Sequence, residues 1–135
     1  ASGYRGGRPV PPLDLSTVAI GAGDLWSTTG DLARWLTALS TTPLLSRRSR
    51  DAIFAPHAAI PNPEFGLASL AYGYGWYLAQ VDGHRVFAHP GGNAGFTACA
   101  AILPDDAVQV IVLANDEQSD APAIAFRLVR ALTEG

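Results

Sequence analysis

The chain has 135 residues, of which 48% are hydrophobic and 16% are charged, and its formal net charge is −3. This length and composition predict one globular domain with a hydrophobic core and leave no room for a second. The acidic balance and the absence of a basic cluster argue against a nucleic-acid partner, because phosphate binding needs several clustered cations. No apolar run reaches membrane-spanning length, so no membrane segment is expected in this chain.

Two residue counts exclude whole classes of chemistry. All nine basic residues are arginine, so the chain has no lysine and can form no Walker-type phosphate loop. Cys99 is the single cysteine, which excludes an internal disulfide and a cysteine-rich zinc site. Its apolar neighbours in FTACAAIL predict an inert thiol in the core. No cofactor is expected.

The first half of the chain predicts an arm followed by helices. Residues 1–22 are rich in glycine and proline without an apolar period, which predicts an extended arm. Residues 23–71 form a helical and loop segment, whose first helix has Thr28 as its cap. Four apolar residues fall on one face of that helix: Leu32, Trp35, Leu36 and Leu39. A shorter helix is predicted at 46–54, ending where a proline follows, and residues 55–71 are predicted as loop.

Residues 72–135 predict sheet strands and a closing helix. YGWYLAQV and HRVFAH flank Asp82-Gly83, which predicts a hairpin. GFTACAAILP and AVQVIVLAN flank a second turn, and their apolar character predicts strands covered on both faces. The last helix begins near Asp120 and should lie across the sheet. It carries Ile124, Leu128 and Leu132 at helical spacing. The fold class predicted is α+β, an antiparallel sheet meander with helices packed on it.

The stretch HPGGNAGF places His89 at the end of a predicted strand and at the mouth of a Pro-Gly-Gly turn. No metal site is expected, because His84 and His89 are five apart on one strand and His57 lies in a loop. Gly91 and Gly92 lack the strand-to-helix context of a dinucleotide loop. They allow a backbone to approach another group closely.

Four stretches, taken together and in order, resemble one family: GDLWSTTGDLARWLTAL, YGYGWYL, HPGGNAGFTACAAILPDDAVQVIVLAND and the closing helix. They are similar to the C-terminal part of the serine β-lactamase and penicillin-binding protein superfamily, in its class C-like branch of D-alanyl-D-alanine carboxypeptidases and esterases. The resemblance implies acyl transfer on a β-lactam, a D-Ala-D-Ala peptide or an ester. It also implies an active site built from three motifs. The first is Ser-x-x-Lys, which holds the nucleophile, and the second is Tyr-x-Asn or Ser-x-Asn. The third is Lys-Thr-Gly, which this branch often replaces with His-x-Gly.

His89-Pro90-Gly91 matches the last of these motifs. The resemblance implies that His89, Gly91 and Gly92 are catalytic. It implies substrate contacts by His89, Pro90, Gly92 and Asn93. We expect Gly92 to donate its N–H to an oxyanion, and His89 to lie beside the bound carboxylate or leaving group. Pro90 stands where threonine is usual and removes a hydroxyl, which favours an esterase over a β-lactamase or carboxypeptidase.

The other two motifs are missing from the chain. Without lysine there is no Ser-x-x-Lys, and neither Tyr72-Gly73-Tyr74 nor Tyr74-Gly75-Trp76 supplies Tyr-x-Asn. We therefore expect residues 1–135 to be a single partial domain that is inactive alone. Its expected partners are the N-terminal nucleophile-bearing segment of the same enzyme and a small-molecule acyl substrate. Two alternatives stay open: a non-catalytic ligand- or partner-binding module with a degenerate penicillin-binding fold, and a purely structural domain.

The resemblance also predicts an unpaired sheet edge. In the family, N-terminal strands join the sheet beside the strand that is here 108–113. The sequence VQVIVL contains no charge or proline that would protect an exposed edge. We expect this edge to be covered by the N-terminal segment, by the chain's own arm, or by a second copy in a homo-oligomer.

Overall fold

The computed structural model describes residues 1–11, 14, 20–41, 44–61 and 70–134. Within them, six strands form one antiparallel sheet whose spatial order follows the chain. The strands are β3 (Ala58–Ile60), β4 (Leu70–Tyr72), β5 (Tyr77–Val81), β6 (His84–Asn93), β7 (Phe96–Leu103) and β8 (Val108–Ala114). The α+β meander predicted from the sequence is therefore confirmed. No helix in the described part of the chain is long and apolar enough to cross a membrane.

Helices cover both faces of the sheet. On one face lie α1 (Thr29–Thr41) and α2 (Arg47–Ile53), and on the other lies α3 (Ala121–Thr133). Each helix begins at a residue whose side-chain oxygen accepts a backbone N–H three positions later: Thr28, Ser46 and Asp120. The predicted start of each helix is confirmed.

The sheet thus separates two hydrophobic cores. The core under α3 contains Val81, Val86, Ala88, Cys99, Ala101, Leu103, Val110, Ala125, Phe126 and Val129. The core under α1 contains Leu36, Leu39, Trp76, Phe87 and Ile102. Because β7 supplies alternate residues to both cores, its continuous apolar sequence is explained.

Of the three apolar residues at helical spacing in the closing helix, Ile124 is half-buried, whereas Leu128 and Leu132 are exposed. Leu128 is 46% exposed and Leu132 is 59% exposed. The helix instead buries Ala121, Ala125, Phe126 and Val129. Alanine at two of these positions lets the helix backbone approach the sheet closely, and the larger leucines point outward.

The segment predicted as loop, 55–71, contains β3 and the start of β4; its residues 62–69 lie outside the described residues. Both strands are three residues long, too short to show a period in the sequence. The strand predicted from Tyr74 begins at Tyr77, because Gly75 bends the chain with a φ of 76°.

The N-terminal arm, predicted as extended, folds into a hairpin of β1 (Tyr4–Arg5) and β2 (Arg8–Pro9); residues 12, 13 and 15–19 lie outside the described residues. The hairpin packs beside the end of β8. Tyr4 N–H donates to the carbonyl of Asn115 at 2.9 Å, and Glu117 N–H donates to the carbonyl of Tyr4 at 3.1 Å. The arm therefore pairs with residues that follow β8, and the strand itself is an edge of the described sheet.

Candidate functional site

Strand β6 carries all the residues that the sequence analysis selected. It continues from His84 to Asn93, so the predicted Pro-Gly-Gly turn is wrong. The chain reverses instead at Ala94-Gly95, where Gly95 has a φ of 81°. Pro90 is tolerated within the strand because its nitrogen, which has no hydrogen to donate, faces away from β7.

The register of β6 fixes the direction of the Gly92 backbone. Asn93 pairs with Phe96 across a two-residue turn, which makes that pair a hydrogen-bonded one. Gly92 and Thr97 are the next pair and are therefore not hydrogen-bonded to each other. The N–H of Gly92 therefore points away from β7, toward the other edge of β6. Strand β5 pairs with that edge only as far as Ala88, so it does not reach Gly92. Neither neighbouring strand nor any other described residue accepts a hydrogen bond from this N–H.

His89 lies at the same free edge, held at both ring nitrogens. Its Nδ1 lies 2.6 Å from the carbonyl oxygen of Pro90, and its Nε2 lies 2.8 Å from the hydroxyl of Tyr72 on β4. The rings of Tyr72 and Tyr77 meet edge to face at 4.9 Å, and the Tyr77 ring lies 5.6 Å from that of His89. The histidine side chain is thus part of an aromatic cluster with Tyr72 and Tyr77 at the beginning of β5.

A groove of about 680 Å³ lies where β6, β7 and β8 end near the start of α1. Gly91, Gly92 and Asn93 line it, together with Leu25 and Trp26 from the segment before α1. Leu25 is 81% exposed and Trp26 is 62% exposed. The groove is therefore bordered by large apolar side chains that the described residues leave open to solvent.

Asn93 has a structural contact as well. Its side-chain Nδ2 donates to the carbonyl of Gly23 at 2.7 Å, and the neighbouring Trp26 ring packs edge to face on Phe96 at 5.6 Å. These contacts hold the segment before α1 against the end of β6. The substrate-binding role expected of Asn93 stays a prediction. Its Oδ1 and the second hydrogen on Nδ2 are the atoms that would contact the substrate.

The structure brings only some of the predicted site residues together. Gly91, Gly92 and Asn93 share the groove, whereas His89 and Pro90 do not line it. Three positions on an extended strand separate His89 from Gly92, about 10 Å along the backbone. Sequence reasoning missed Tyr72 as a partner of His89. The signal was the aromatic run YGYGWY, because it places a tyrosine at the end of a strand close to β6.

The other histidines are engaged elsewhere. Nδ1 of His84 lies 2.9 Å from Asp106, and Nε2 of His57 lies 2.7 Å from the carbonyl of Ala52. Across the ranges that the structure describes, no three His, Cys, Asp or Glu side chains come together in a way that could hold a metal ion.

The antiparallel sheet between helical layers is the fold of the serine β-lactamase and penicillin-binding protein superfamily. The family model described as Beta-lactamase matches residues 1–134, and the chain belongs to that family. Two solved structures have this fold. They are an octameric penicillin-binding protein homologue from Pyrococcus abyssi, with a TM-score of 0.70 and 23% identity, and a penicillin-binding protein from Bacillus halodurans, with a TM-score of 0.61 and 24% identity.

Two curated relatives are similar in sequence. Unguisins hydrolase ungD' of Aspergillus campestris is 29% identical over 95% of this chain, and penicillin-binding protein 4* of Bacillus subtilis is 30% identical over 73% of it. The matched regions cover 25% and 21% of those two proteins. The match to the Pyrococcus abyssi structure covers 80% of this chain and 24% of that protein. The match to the Bacillus halodurans structure covers 76% of this chain and 29% of that protein. The chain therefore spans about a quarter of the length of its relatives.

Proposed function

We propose that this chain is the C-terminal portion of a serine hydrolase that transfers an acyl group from an amide or ester. In this proposal residues 1–135 are one partial domain that supplies the His-x-Gly strand, and the nucleophile comes from a segment outside it. The carrying observation is the N–H of Gly92, which points from an unpaired strand edge and lies beside an open groove. A backbone donor so placed is pre-aligned for the oxygen that becomes negative during acyl transfer.

The chemistry divides between the two parts. A serine of the nucleophile-bearing segment attacks the acyl carbon, its proton passes to a base of the same segment, and the carbonyl oxygen becomes an oxyanion. When the carbonyl re-forms, the bond to the leaving group breaks, the leaving group departs with a proton, and water then hydrolyses the acyl-serine. Gly92 N–H donates to the oxyanion. Gly91 has no side chain, so the substrate can approach the backbone of the strand closely. His89 lies on the leaving-group side and assists proton movement there. Pro90 offers no hydroxyl to a substrate carboxylate, which favours an ester as the substrate class.

The groove and the sheet edge are the surfaces on which the nucleophile-bearing segment would dock. Leu25 and Trp26 expose apolar area beside the groove, and Leu113 on β8 is 40% exposed next to it. The edge of β8 has no strand partner among the described residues. A helix on the groove and a strand on β8 would cover both surfaces at once. A second copy paired along 108–113 is the competing occupant.

A non-catalytic binding module is the second candidate, and one observation favours it. Both ring nitrogens of His89 have partners within the chain, so the imidazole is not free to act in the arrangement observed. Such a module would bind a ligand in the groove without forming an acyl intermediate. The distinction is whether any serine becomes acylated.

The test compares two forms of the protein with a p-nitrophenyl ester: residues 1–135 alone, and the same residues expressed with the coding sequence that precedes Ala1. We expect no burst of nitrophenol from residues 1–135. The longer form should give a burst, with mass spectrometry placing the acyl group on a serine before Ala1. A burst that maps to a serine of residues 1–135, or a longer form that is never acylated, contradicts the proposal.

A further inference from the structure

The hydroxyl of Tyr72 contacts the imidazole of His89. Strand β5 begins at Tyr77, which pairs with Ala88, so beyond Ala88 strand β6 is paired only with β7, and His89 is the first residue of that part. Tyr72 reaches it from β4, with 2.8 Å between its hydroxyl oxygen and Nε2. Strand pairing fixes this tyrosine, because Tyr72 lies opposite Tyr77 and its carbonyl accepts the N–H of His57 at 2.9 Å.

The two partners of the ring determine where its hydrogen lies. The carbonyl oxygen of Pro90 can only accept, so Nδ1 of His89 must carry the hydrogen that this 2.6 Å contact requires. In the neutral imidazole Nε2 then has a lone pair, and the Tyr72 hydroxyl donates to it. Tyr72 thus donates a hydrogen bond to His89, and His89 donates one to the carbonyl of Pro90.

The same positions also suit the protonated ring. When Nε2 gains a proton it becomes a donor, and the phenolic oxygen of Tyr72 can accept from it without any movement of the ring. The hydroxyl hydrogen of Tyr72 then turns away from His89 and becomes available to an oxygen outside the chain. Uptake of one proton by His89 thus converts Tyr72 from a donor to the imidazole into a donor to a bound ligand.

We propose that Tyr72 is the positioning residue of His89: it holds the ring with hydrogen on Nδ1 and couples protonation of Nε2 to the direction of its own hydroxyl. The consequence for turnover rests on the proposed function, since it requires His89 to act on the leaving group. The fixed tautomer does not depend on that role and can be measured in residues 1–135 alone.

The experiment records two-bond ¹H–¹⁵N spectra of the histidine rings in ¹⁵N-labelled protein, with the pH raised until the ring signals no longer change. We expect neutral His89 with hydrogen on Nδ1. Tyr72→Phe, which keeps the ring and removes only the hydroxyl, should shift His89 toward a mixture of both tautomers. The matched control is Tyr74→Phe, because Tyr74 stacks on His57 and makes no ring contact with His89, and it should leave the His89 signals unchanged.

Hydrogen on Nε2 in the unsubstituted protein, or identical His89 spectra with and without the Tyr72 hydroxyl, overturns the proposal. The proposed function fails separately. If the longer form turns over an ester equally well with His89→Ala, the catalytic role of His89 is lost while the tautomer result stands.

Discussion

The carboxylate of Glu117 accepts a hydrogen bond from the backbone N–H of Gly95 at 2.8 Å, and it also pairs with the guanidinium of Arg5. One side chain therefore joins the turn between β6 and β7, the N-terminal hairpin and the segment after β8. The hydrogen bonds from Arg5 and Gly95 hold the pKa of Glu117 below its usual value of 4.5. Both partners favour the charged carboxylate, so the junction is pH-dependent.

The first prediction concerns acid. Because the pKa of Glu117 is lower in the folded protein, its contribution to stability is complete above pH 4.5 and is lost as the pH falls through the folded value. Glu117→Gln should lower the free energy of unfolding at pH 7, and the difference should shrink below pH 4.5. Urea unfolding at several pH values measures this, with Glu134→Gln at the end of α3 as control. A difference that stays constant down to pH 2 contradicts the assignment.

The second prediction concerns the close approach of α2 to the sheet. A Cβ atom on Gly73 would lie 2.3 Å from the carbonyl oxygen of Ile53, which already accepts the N–H of Tyr74 at 3.0 Å. Backbone cannot yield as a side chain can, so we expect Gly73→Ala to destabilise the protein by about 1–3 kcal/mol. Gly91→Ala meets no atom within 4 Å and should change stability by less than about 0.5 kcal/mol. Equal unfolding midpoints for the two variants would refute the contact.

The third prediction concerns the two layers of the core. Leu36 is fully buried under α1, and Leu132 on α3 is 59% exposed. Leu36→Ala should cost about 2–5 kcal/mol. Leu132→Ala makes the same chemical change at the surface and should cost less than about 0.5 kcal/mol. A larger loss from the Leu132 variant, measured on residues 1–135, would show that the outward stripe of α3 is packed.

The fourth prediction concerns Cys99. Burial raises the pKa of its thiol to about 11, so little thiolate exists at pH 8. We expect iodoacetamide to leave the folded protein unmodified over a time in which the protein in urea is alkylated completely. Mass spectrometry of both samples gives the comparison. Rapid alkylation of the folded protein would place the thiol outside the core.

The sequence predicted the elements whose signals are local. The Asp82-Gly83 hairpin follows from turn chemistry, since both residues take positive φ, and α1 follows from its cap and apolar period. The buried face of α3 could not be predicted, because an alanine-rich helix offers several apolar stripes and the sheet selects the one that packs most closely. The strand through Pro90 was missed for a similar reason: proline is compatible with β6 only because no neighbouring strand needs its nitrogen.

The candidate site was predictable in its residues more than in its geometry. His89 and Gly92 were selected from the motif and its glycines. Their partners depend on where β5 begins and on how it pairs with β6, which are properties of the sheet register. The aromatic run YGYGWY indicates a tyrosine near β6, but the contact of Tyr72 on β4 with His89 on β6 depends on that register and could not be predicted from the sequence.

The proposal that Gly92 supplies an oxyanion donor is tested most directly by removing its N–H. Gly92→Pro removes the N–H, which no described residue uses, and also adds a ring that fixes φ. Gly92→Ala keeps the donor while adding a Cβ whose nearest neighbour, the Phe96 carbonyl oxygen, is 3.7 Å away. If the longer form hydrolyses an ester as proposed, its kcat should be about 10²–10³-fold lower with Gly92→Pro than with Gly92→Ala. Equal kcat values for two folded variants would contradict the assignment.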